Sequence, residues 1–207
     1  MAMAAVEFAE PASESQLEAL AEKLRARNFE VVIVNDGAEA KAEVLKRIPE
    51  GAQVHSGKSK TLEDAGLFQE FMGNEKYDFV RRRTMKMDLK TQRDDIRRAG
   101  AAPDIMVNSA HAVTEEGQIV VTSASGSQIG PIASGAGQLI LVIGSQKIVP
   151  DLDTAFRRIR EHVFPYEDAR LREALGVGTK ITRTLILDQD FMPGRTTVIL
   201  VRQPIGV

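Results

Sequence analysis

Short apolar segments alternate with helix-patterned segments along most of this chain, and the alternation restricts the folds that it can adopt. The Val- and Ile-rich runs at residues 29–34, 105–107 and 139–143 are short and apolar enough to be buried strands. Segments with apolar residues at helical spacing lie between such runs, and the elements recur roughly every 20 to 30 residues, which is β-α-β spacing. The pattern predicts an α/β fold with a mostly parallel sheet and helices on both of its faces.

The last part of the chain departs from this alternation. Residues 181–187 and 196–201 are both predicted strands, and residues 192–195 between them (Met-Pro-Gly-Arg) are typical of a β-turn. Consecutive strands joined by a turn pair antiparallel, because a parallel pair needs a longer crossover connection. We therefore expect an antiparallel hairpin at the C-terminus.

The domain organisation is expected to be simple. Ser13 and Gln16 have the spacing of a capping box at the start of the first helix, so residues 1–12 are predicted to be a flexible lead-in. A chain of 207 residues is long enough for one good core and short for two. No internal repeat is visible, and residues 13–207 are therefore predicted to form one domain.

Composition excludes several classes of function. Cysteine is absent, which excludes disulfides, a cysteine nucleophile and cysteine-ligated iron–sulfur or zinc sites within these residues. The net charge of −2 gives no argument for a nucleic-acid partner or an acidic membrane surface. No apolar run approaches the length of a membrane-spanning helix, and the first residues lack the basic region of a secretory signal. We expect a cytoplasmic protein without nucleic-acid or membrane partners.

Residues 105–121 place a polar segment between two predicted strands. Its His111, Glu115, Glu116 and Gly117 would lie at the rim of the sheet, where open α/β proteins place their ligand sites. A partly buried glutamate there could be a nucleophile or a general base. Two glutamates before a turn glycine are also typical of a solvated turn, so the residues alone leave both interpretations open.

The loop at residues 56–61 is a candidate anion site. It follows a short predicted strand and opens a helix, for which Thr61 and Asp64 have capping-box spacing. Its backbone N–H groups could bind a phosphate, a carboxylate or a pantetheine-type group. Residues 57–59 (Gly-Lys-Ser) suggest a nucleotide-binding P-loop, but that pattern requires a glycine where Ala52 stands. An ordinary strand-to-helix turn is the alternative.

Three single residues also follow predicted strands. His55 and His111 could meet across the site as acid, base or metal ligands. Because no third metal ligand is identifiable, a hydrogen-bonded site histidine is the stronger interpretation and no metal is expected. Lys147 lies between a predicted strand and a helix. That position suits it either to pair with an anionic ligand group or to remain solvated.

Two longer segments carry weaker signals. Residues 123–137 are rich in Gly and Ser but lack the spacing of a dinucleotide-binding loop. They are predicted to be either a flexible loop or a loop that closes over a ligand, where glycine permits close backbone approach. The charged residues 81–90 are predicted to be mostly loop. Their arginines at 81–83 fit a solvated face better than a basic docking patch.

Three motifs resemble those of the LUD domain, the lactate-utilisation family. Residues 54–67 (Val-His-Ser-Gly-Lys-Ser-Lys-Thr-Leu-Glu-Asp-Ala-Gly-Leu) are similar to its strand, Gly-x-Ser-x-Thr-Leu core, acidic residue and Gly-Leu. Residues 109–117 resemble a second motif, in which Ser-Ala-Asn-Ala precedes Ile-Thr-Glu-x-Gly, and His111 takes the place of the family's asparagine. Residues 144–151 resemble a third, Gly-x-x-Lys-Ile-Val-x-Asp. The resemblance covers roughly residues 15–203.

The resemblance implies a fold like that of the superfamily of ribose-5-phosphate isomerase, glucosamine-phosphate deaminase and CoA-transferase. Residues 114–117 (Thr-Glu-Glu-Gly) are similar to the CoA-transferase Ser-Glu-Asn-Gly motif, whose glutamate is the nucleophile, and Glu115 is the matching position. Catalytic roles are therefore implied for Glu115, with His111 beside it. The predicted ligand-binding residues are Gly57, Lys58, Ser59, Thr61, Glu63, Ser109, Gly117, Gly126, Ser127, Gln128 and Lys147.

The function that the resemblance implies is an accessory or ligand-binding role in the utilisation or oxidation of L-lactate or a related small 2-hydroxy acid. Such a protein would bind an anionic metabolite, or CoA, and would work beside iron–sulfur oxidoreductase subunits, since it has no cysteines for a cluster of its own. The alternatives are an independent acyl- or CoA-transferase or sugar-phosphate isomerase that uses Glu115, and a metabolite-sensing regulatory protein. A homodimer is expected from the superfamily.

Overall fold

The computed structural model describes residues 6–207 and contains two β-sheets. Its strands are β1 (Glu30–Val34), β2 (Gln53–Ser56), β3 (Asp78–Phe79), β4 (Ile105–Asn108), β5 (Ala112–Thr114), β6 (Ile119–Ser123), β7 (Gln138–Gly144), β8 (Ile148–Val149), β9 (Arg183–Leu187) and β10 (Thr196–Val201). The first sheet has six strands in the order β1-β10-β7-β4-β2-β3, and all of its pairings are parallel. The predicted α/β class with a parallel sheet is confirmed.

Eight α-helices connect and cover the strands in the described residues. They are α1 (Glu14–Ala26), α2 (Gly37–Lys46), α3 (Lys60–Asp64), α4 (Leu67–Gly73), α5 (Val80–Thr84), α6 (Arg93–Ala99), α7 (Leu152–Arg158) and α8 (Phe164–Leu175). A π-helical turn at Ile159–Val163 joins α7 to α8, and a second one lies at Pro131–Gly135. The capping box of Ser13 and Gln16 starts α1 as predicted. No helix among residues 6–207 is both long and apolar enough to cross a membrane.

Both faces of the parallel sheet are apolar and covered, as a sheet of this type requires. One face buries Val107, Ile140 and Ile199 against α2, α3 and α4. The opposite face buries Leu139 and Leu200 against α1 and the second sheet. The main core therefore lies on the two sides of one sheet, and helices contribute to both sides.

The second sheet was not predicted. It has the order β8-β5-β6-β9, with β6 antiparallel to both β5 and β9. One of its faces joins the main core through Val113 and Val121, and the other packs Ala112 and Val120 against Ala155 of α7. The second sheet is thus enclosed between the parallel sheet and the helix that continues into α8.

The predicted C-terminal hairpin is wrong. Strand β9 pairs antiparallel with β6, whereas β10 lies between β1 and β7 in the parallel sheet. The burial of the two strands explains the separation: every residue of β10 is buried, as in a central parallel strand, but β9 has no buried residue. The residues that resemble a β-turn carry the chain from one sheet to the other.

The local predictions have different outcomes. The charged segment 81–90 is mostly irregular as predicted, although α5 covers its first residues up to Thr84. Helix α3 begins earlier than expected, since Ser59 is its N-cap and accepts a hydrogen bond from the Leu62 N–H. Thr61 is therefore not a cap. The predicted lead-in lies partly outside the described residues; within it, Phe8 is buried against the ring of His162.

Candidate functional site

A cavity of about 340 Å³ lies at the C-terminal edge of the parallel sheet. The loops that follow β2, β4 and β7 meet there, because the carboxyl ends of parallel strands share one edge of a sheet. The open end of the β5–β6 pair and helix α8 form its other walls. Its polar lining consists of Lys58, Ser59, Lys60, Thr61, Arg81, Asn108, Ser109, His111, Thr122, Ser123, Ser125, Ser127, Gln128, Lys147, Tyr166, Glu167, Thr179 and Lys180.

Lys147 is the most unusual side chain of the cavity. It is only 3% exposed, and its Nζ lies 2.7 Å from Thr61 Oγ1, 3.1 Å from Ser109 Oγ and 3.2 Å from the Ala110 carbonyl oxygen. All of these partners are uncharged. Burial, and then the nearby Arg158 guanidinium, lower the pKa of Lys147 well below its ordinary value, and Asp64 opposes this only in part.

His111 lies beside Lys147 in the cavity wall. Its Nδ1 accepts a hydrogen bond from the Thr122 N–H at 3.1 Å, and its carbonyl oxygen accepts one from Arg158 Nη1 at 2.5 Å. Burial, followed by the charges of Lys147 and Arg158, lowers the pKa of His111 to about 3. The ring is therefore neutral near pH 7, with Nδ1 occupied as an acceptor and its hydrogen on Nε2.

Arg158 is a functional candidate that the sequence interpretation missed. Its side chain is fully buried, and its Nε and Nη2 have no hydrogen-bond partner among the described residues. Burial lowers the pKa of Arg158 to about 10. A signal was present in the sequence, because Arg158 follows Ala155 by three positions and so falls on the apolar stripe of its helix.

Positive charge dominates the cavity. Four cationic side chains line it besides Lys147, and Glu167 is the one carboxylate side chain among the lining residues of the described chain. Glu167 already forms an ion pair with Arg170. Low-dielectric walls of one charge sign concentrate ligands of the opposite sign. The four cationic lining residues are Lys58, Lys60, Arg81 and Lys180.

Most of the predicted ligand-binding loops converge on this cavity. Its wall includes Lys58, Ser59, Thr61, Ser109, His111, Ser127, Gln128 and Lys147. Gly57 lies just behind it, where a Cβ would stand 3.0 Å from Asn108 Oδ1. Gly126, at φ +81°, forms the turn that carries Ser125 and Ser127 into the wall. Glu63 is outside the lining, on α3.

Glu115 and Gly117 lie elsewhere, at the tip of the β5–β6 pair. The exposed Glu115 carboxylate accepts a hydrogen bond from Gln16 Nε2 of α1 at 3.2 Å. A Cβ at Gly117 would stand 3.1 Å from Arg27 Cδ. Since His111 and Thr122 line the cavity from the open end of the same strand pair, the tip points away from it.

His55 is also absent from the cavity wall. Its Nε2 would stand 3.0 Å from a Cβ at Gly100, after α6, so its ring faces that segment. Burial, and then Arg81, lower the pKa of His55 to about 4. The structure therefore does not bring His55 to the cavity where His111 lies. Residues 6–207 contain no group of three side chains placed to bind a metal ion.

Comparisons with known proteins agree with this architecture. The family model described as LUD domain matches residues 17–201. The solved structure of a DUF162 family protein from Deinococcus radiodurans superposes with a TM-score of 0.57 at 14% sequence identity, covering 92% of this chain and 99% of that chain. At that identity the match supports the fold alone. No curated protein matches the sequence.

Proposed function

The chain belongs to the LUD domain family, and from this membership and its cavity we propose that it binds L-lactate or a related small 2-hydroxy acid. Its role is that of an accessory or ligand-binding component in the utilisation of that acid. The observation that carries the proposal is the cavity lining, in which four cationic side chains accompany one carboxylate that is already paired.

A 2-hydroxy acid presents two recognisable groups to such a cavity. Its carboxylate is attracted by cationic side chains of the wall, such as Lys58 in the loop after β2 and Arg81 on α5. Its hydroxyl group requires uncharged hydrogen-bonding partners, and Ser109, Lys147 and the Nε2 of His111 offer these. A metabolite without a carboxylate would leave the cationic side chains without a partner, and one without a hydroxyl group would leave the uncharged groups without one.

The accessory role is supported by composition. These 207 residues contain no cysteine and so cannot form a cysteine-ligated iron–sulfur cluster. In the proposed role, a partner oxidoreductase subunit supplies the redox group, and this protein supplies the binding site. The transferase alternative gains no support from the geometry, because Glu115 lies at the strand-pair tip and not in the cavity wall.

The test is a calorimetric titration of the purified protein with L-lactate, D-lactate and ribose 5-phosphate. We expect L-lactate to bind more weakly as the salt concentration rises, since screening weakens attraction to the cationic lining. Lys58→Gln should weaken binding, whereas Lys90→Gln, at an exposed lysine outside the cavity, should not.

Two outcomes would contradict the proposal. One is the absence of L-lactate binding under conditions in which the protein is folded. The other is binding of ribose 5-phosphate alone, which would favour the sugar-phosphate isomerase alternative for the same cationic cavity.

A further inference from the structure

We propose that the amine of Lys147 forms an imine with the carbonyl carbon of a 2-oxo acid, the oxidised counterpart of the 2-hydroxy acid proposed above. The cavity would then perform covalent carbonyl chemistry in addition to binding. The choice of a 2-oxo acid rests on the proposed function. The argument that Lys147 is a nucleophile rests on its own surroundings.

The three hydrogen-bond partners of Nζ can satisfy a neutral amine as well as an ammonium. Ser109 Oγ donates its hydrogen to the Ala110 carbonyl oxygen at 3.2 Å, so its lone pairs are free to accept from Nζ. The Ala110 carbonyl oxygen can only accept. Thr61 Oγ1, at 2.7 Å, accepts from Nζ, and because it is a hydroxyl it can instead donate its hydrogen to the lone pair once Nζ has lost its proton. Loss of the proton therefore leaves no polar atom of Lys147 without a partner.

The charges around Lys147 favour the same form. No carboxylate in the described part of the chain lies within ion-pair distance of Nζ, and the buried Arg158 guanidinium adds a like charge from α7. A lysine that is desolvated or placed beside another cation keeps a larger fraction of its amine unprotonated, and this is how enzymes activate lysine as a nucleophile. Burial lowers the pKa of Lys147, which also favours the unprotonated amine.

The reaction balances without an oxidant or reductant. The Nζ lone pair attacks the carbonyl carbon and the carbon–oxygen π bond breaks. The oxygen takes up a proton from the Thr61 hydroxyl, which regains one from the N–H of the attacking nitrogen beside it. The carbinolamine that results then loses water, because its oxygen leaves with a second proton. The two hydrogens of the amine and the carbonyl oxygen thus leave as one water molecule, and a carbon–nitrogen double bond remains.

The other constituents of the cavity suit this substrate class. A 2-oxo acid carries a carboxylate next to its carbonyl group, and cationic side chains line the same cavity as Lys147. The Nε2–H of His111 can donate a hydrogen bond to the carbonyl oxygen, since Nδ1 is held by the Thr122 N–H. A simple aldehyde would lack the anionic group that the cavity attracts.

The test is reductive trapping at neutral pH. The full chain is incubated with pyruvate and cyanoborohydride, which reduces an imine to a stable secondary amine, and the modified residue is located by mass spectrometry of peptides. We expect modification at Lys147 in preference to the exposed lysines. L-lactate, which has no carbonyl carbon to attack, should give no adduct. Modification spread over surface lysines, with none at Lys147, would overturn the proposal.

Variants test whether the amine itself is required. Lys147→Arg replaces the amine by a guanidinium, which does not form the imine, so the adduct at this position should be lost, whereas Lys90→Arg should leave trapping at Lys147 unchanged. If Lys147→Arg fails to fold, peptide mapping of the unmodified chain still decides the question. L-lactate binding without any adduct at Lys147 would refute imine formation and leave the proposed function standing. An adduct at Lys147 without L-lactate binding would refute the proposed function instead.

Discussion

Lys147 Nζ lies 2.7 Å from Thr61 Oγ1, although the two residues are 86 positions apart in the chain. The hydroxyl comes from α3, at the carboxyl end of β2, and the amine comes from the turn after β7. Strand β4 stands between these two strands in the sheet, and Ser109, which follows it, completes the set of partners. The contact therefore depends on the strand order, which brings three distant loops to one edge.

The first prediction concerns the Thr61 hydroxyl. Thr61→Val preserves the shape of this buried side chain but leaves the Lys147 amine without one of its partners. An unsatisfied buried polar group costs about 1–3 kcal/mol, so the free energy of unfolding should fall by that amount in urea denaturation. Thr61→Ser keeps the hydroxyl and should retain the bond to Nζ. Equal stability of Thr61→Val and the unmodified protein would show that the bond contributes nothing.

The second prediction concerns acid stability. Burial lowers the pKa of His55 to about 4 and that of His111 to about 3. At these two positions the unfolded chain therefore binds more protons than the folded one below the ordinary histidine pKa of roughly 6.5. The contribution of the two histidines to stability should be complete above that pH and fall as the pH decreases toward about 4. Each histidine contributes a slope of about 1.4 kcal/mol per pH unit within this window.

His111→Asn isolates one of the two contributions. The Asn Oδ1 can replace Nδ1 as the acceptor for the Thr122 N–H, so the variant should fold at pH 7. Urea denaturation between pH 7 and pH 4 should show a slope of stability against pH that is smaller by about 1.4 kcal/mol per pH unit, because the contribution of one histidine is gone. An unchanged slope would mean that His111 does not remain neutral in the folded protein. His55→Asn, at the histidine outside the cavity, provides the comparison.

The sequence predicted those parts of the fold that are long and strongly patterned. Strands β1, β4 and β7 contain the apolar runs at residues 29–34, 105–107 and 139–143, from which the sequence predicts them. The second sheet was missed, since β5 and β8 have only three and two residues, too few to show a period. The placement of β10 was wrong because its partners, β1 and β7, are selected by long-range packing and not by the adjacent turn.

The candidate site was predictable to a similar extent. Lys58, Thr61 and Lys147 follow strands that end at one edge, so their convergence follows from the parallel arrangement. Arg158 was missed because an arginine in a helix is ordinarily solvated, and only packing shows that this one is buried. The direction of the β5–β6 pair, which carries Glu115 away from the cavity, is likewise a property of the second sheet and not of the local sequence.

The third prediction distinguishes the cavity from the strand-pair tip. Glu115→Gln removes a charge from an exposed side chain whose hydrogen-bond partner is Gln16 of α1. Surface substitutions of this kind usually change stability by less than about 0.5 kcal/mol. We expect calorimetric L-lactate affinity and thermal stability to be unchanged, whereas Lys58→Gln should weaken binding. A large loss of binding in Glu115→Gln would require the tip of another chain to enter the site.

The fourth prediction tests the position of β10. Leu200 is fully buried on the face of the parallel sheet that packs against α1 and the second sheet. Leu200→Ala would remove core contacts and leave a cavity, at a cost of about 2–5 kcal/mol in the free energy of unfolding. Leu175→Ala, at the end of α8 where the side chain is 67% exposed, is the matched control and should cost little. In a peripheral hairpin Leu200 would be partly solvated, and the two variants would differ only slightly in stability. Urea denaturation of this pair therefore decides whether β10 lies inside the parallel sheet, whose C-terminal edge carries Lys147 and Thr61.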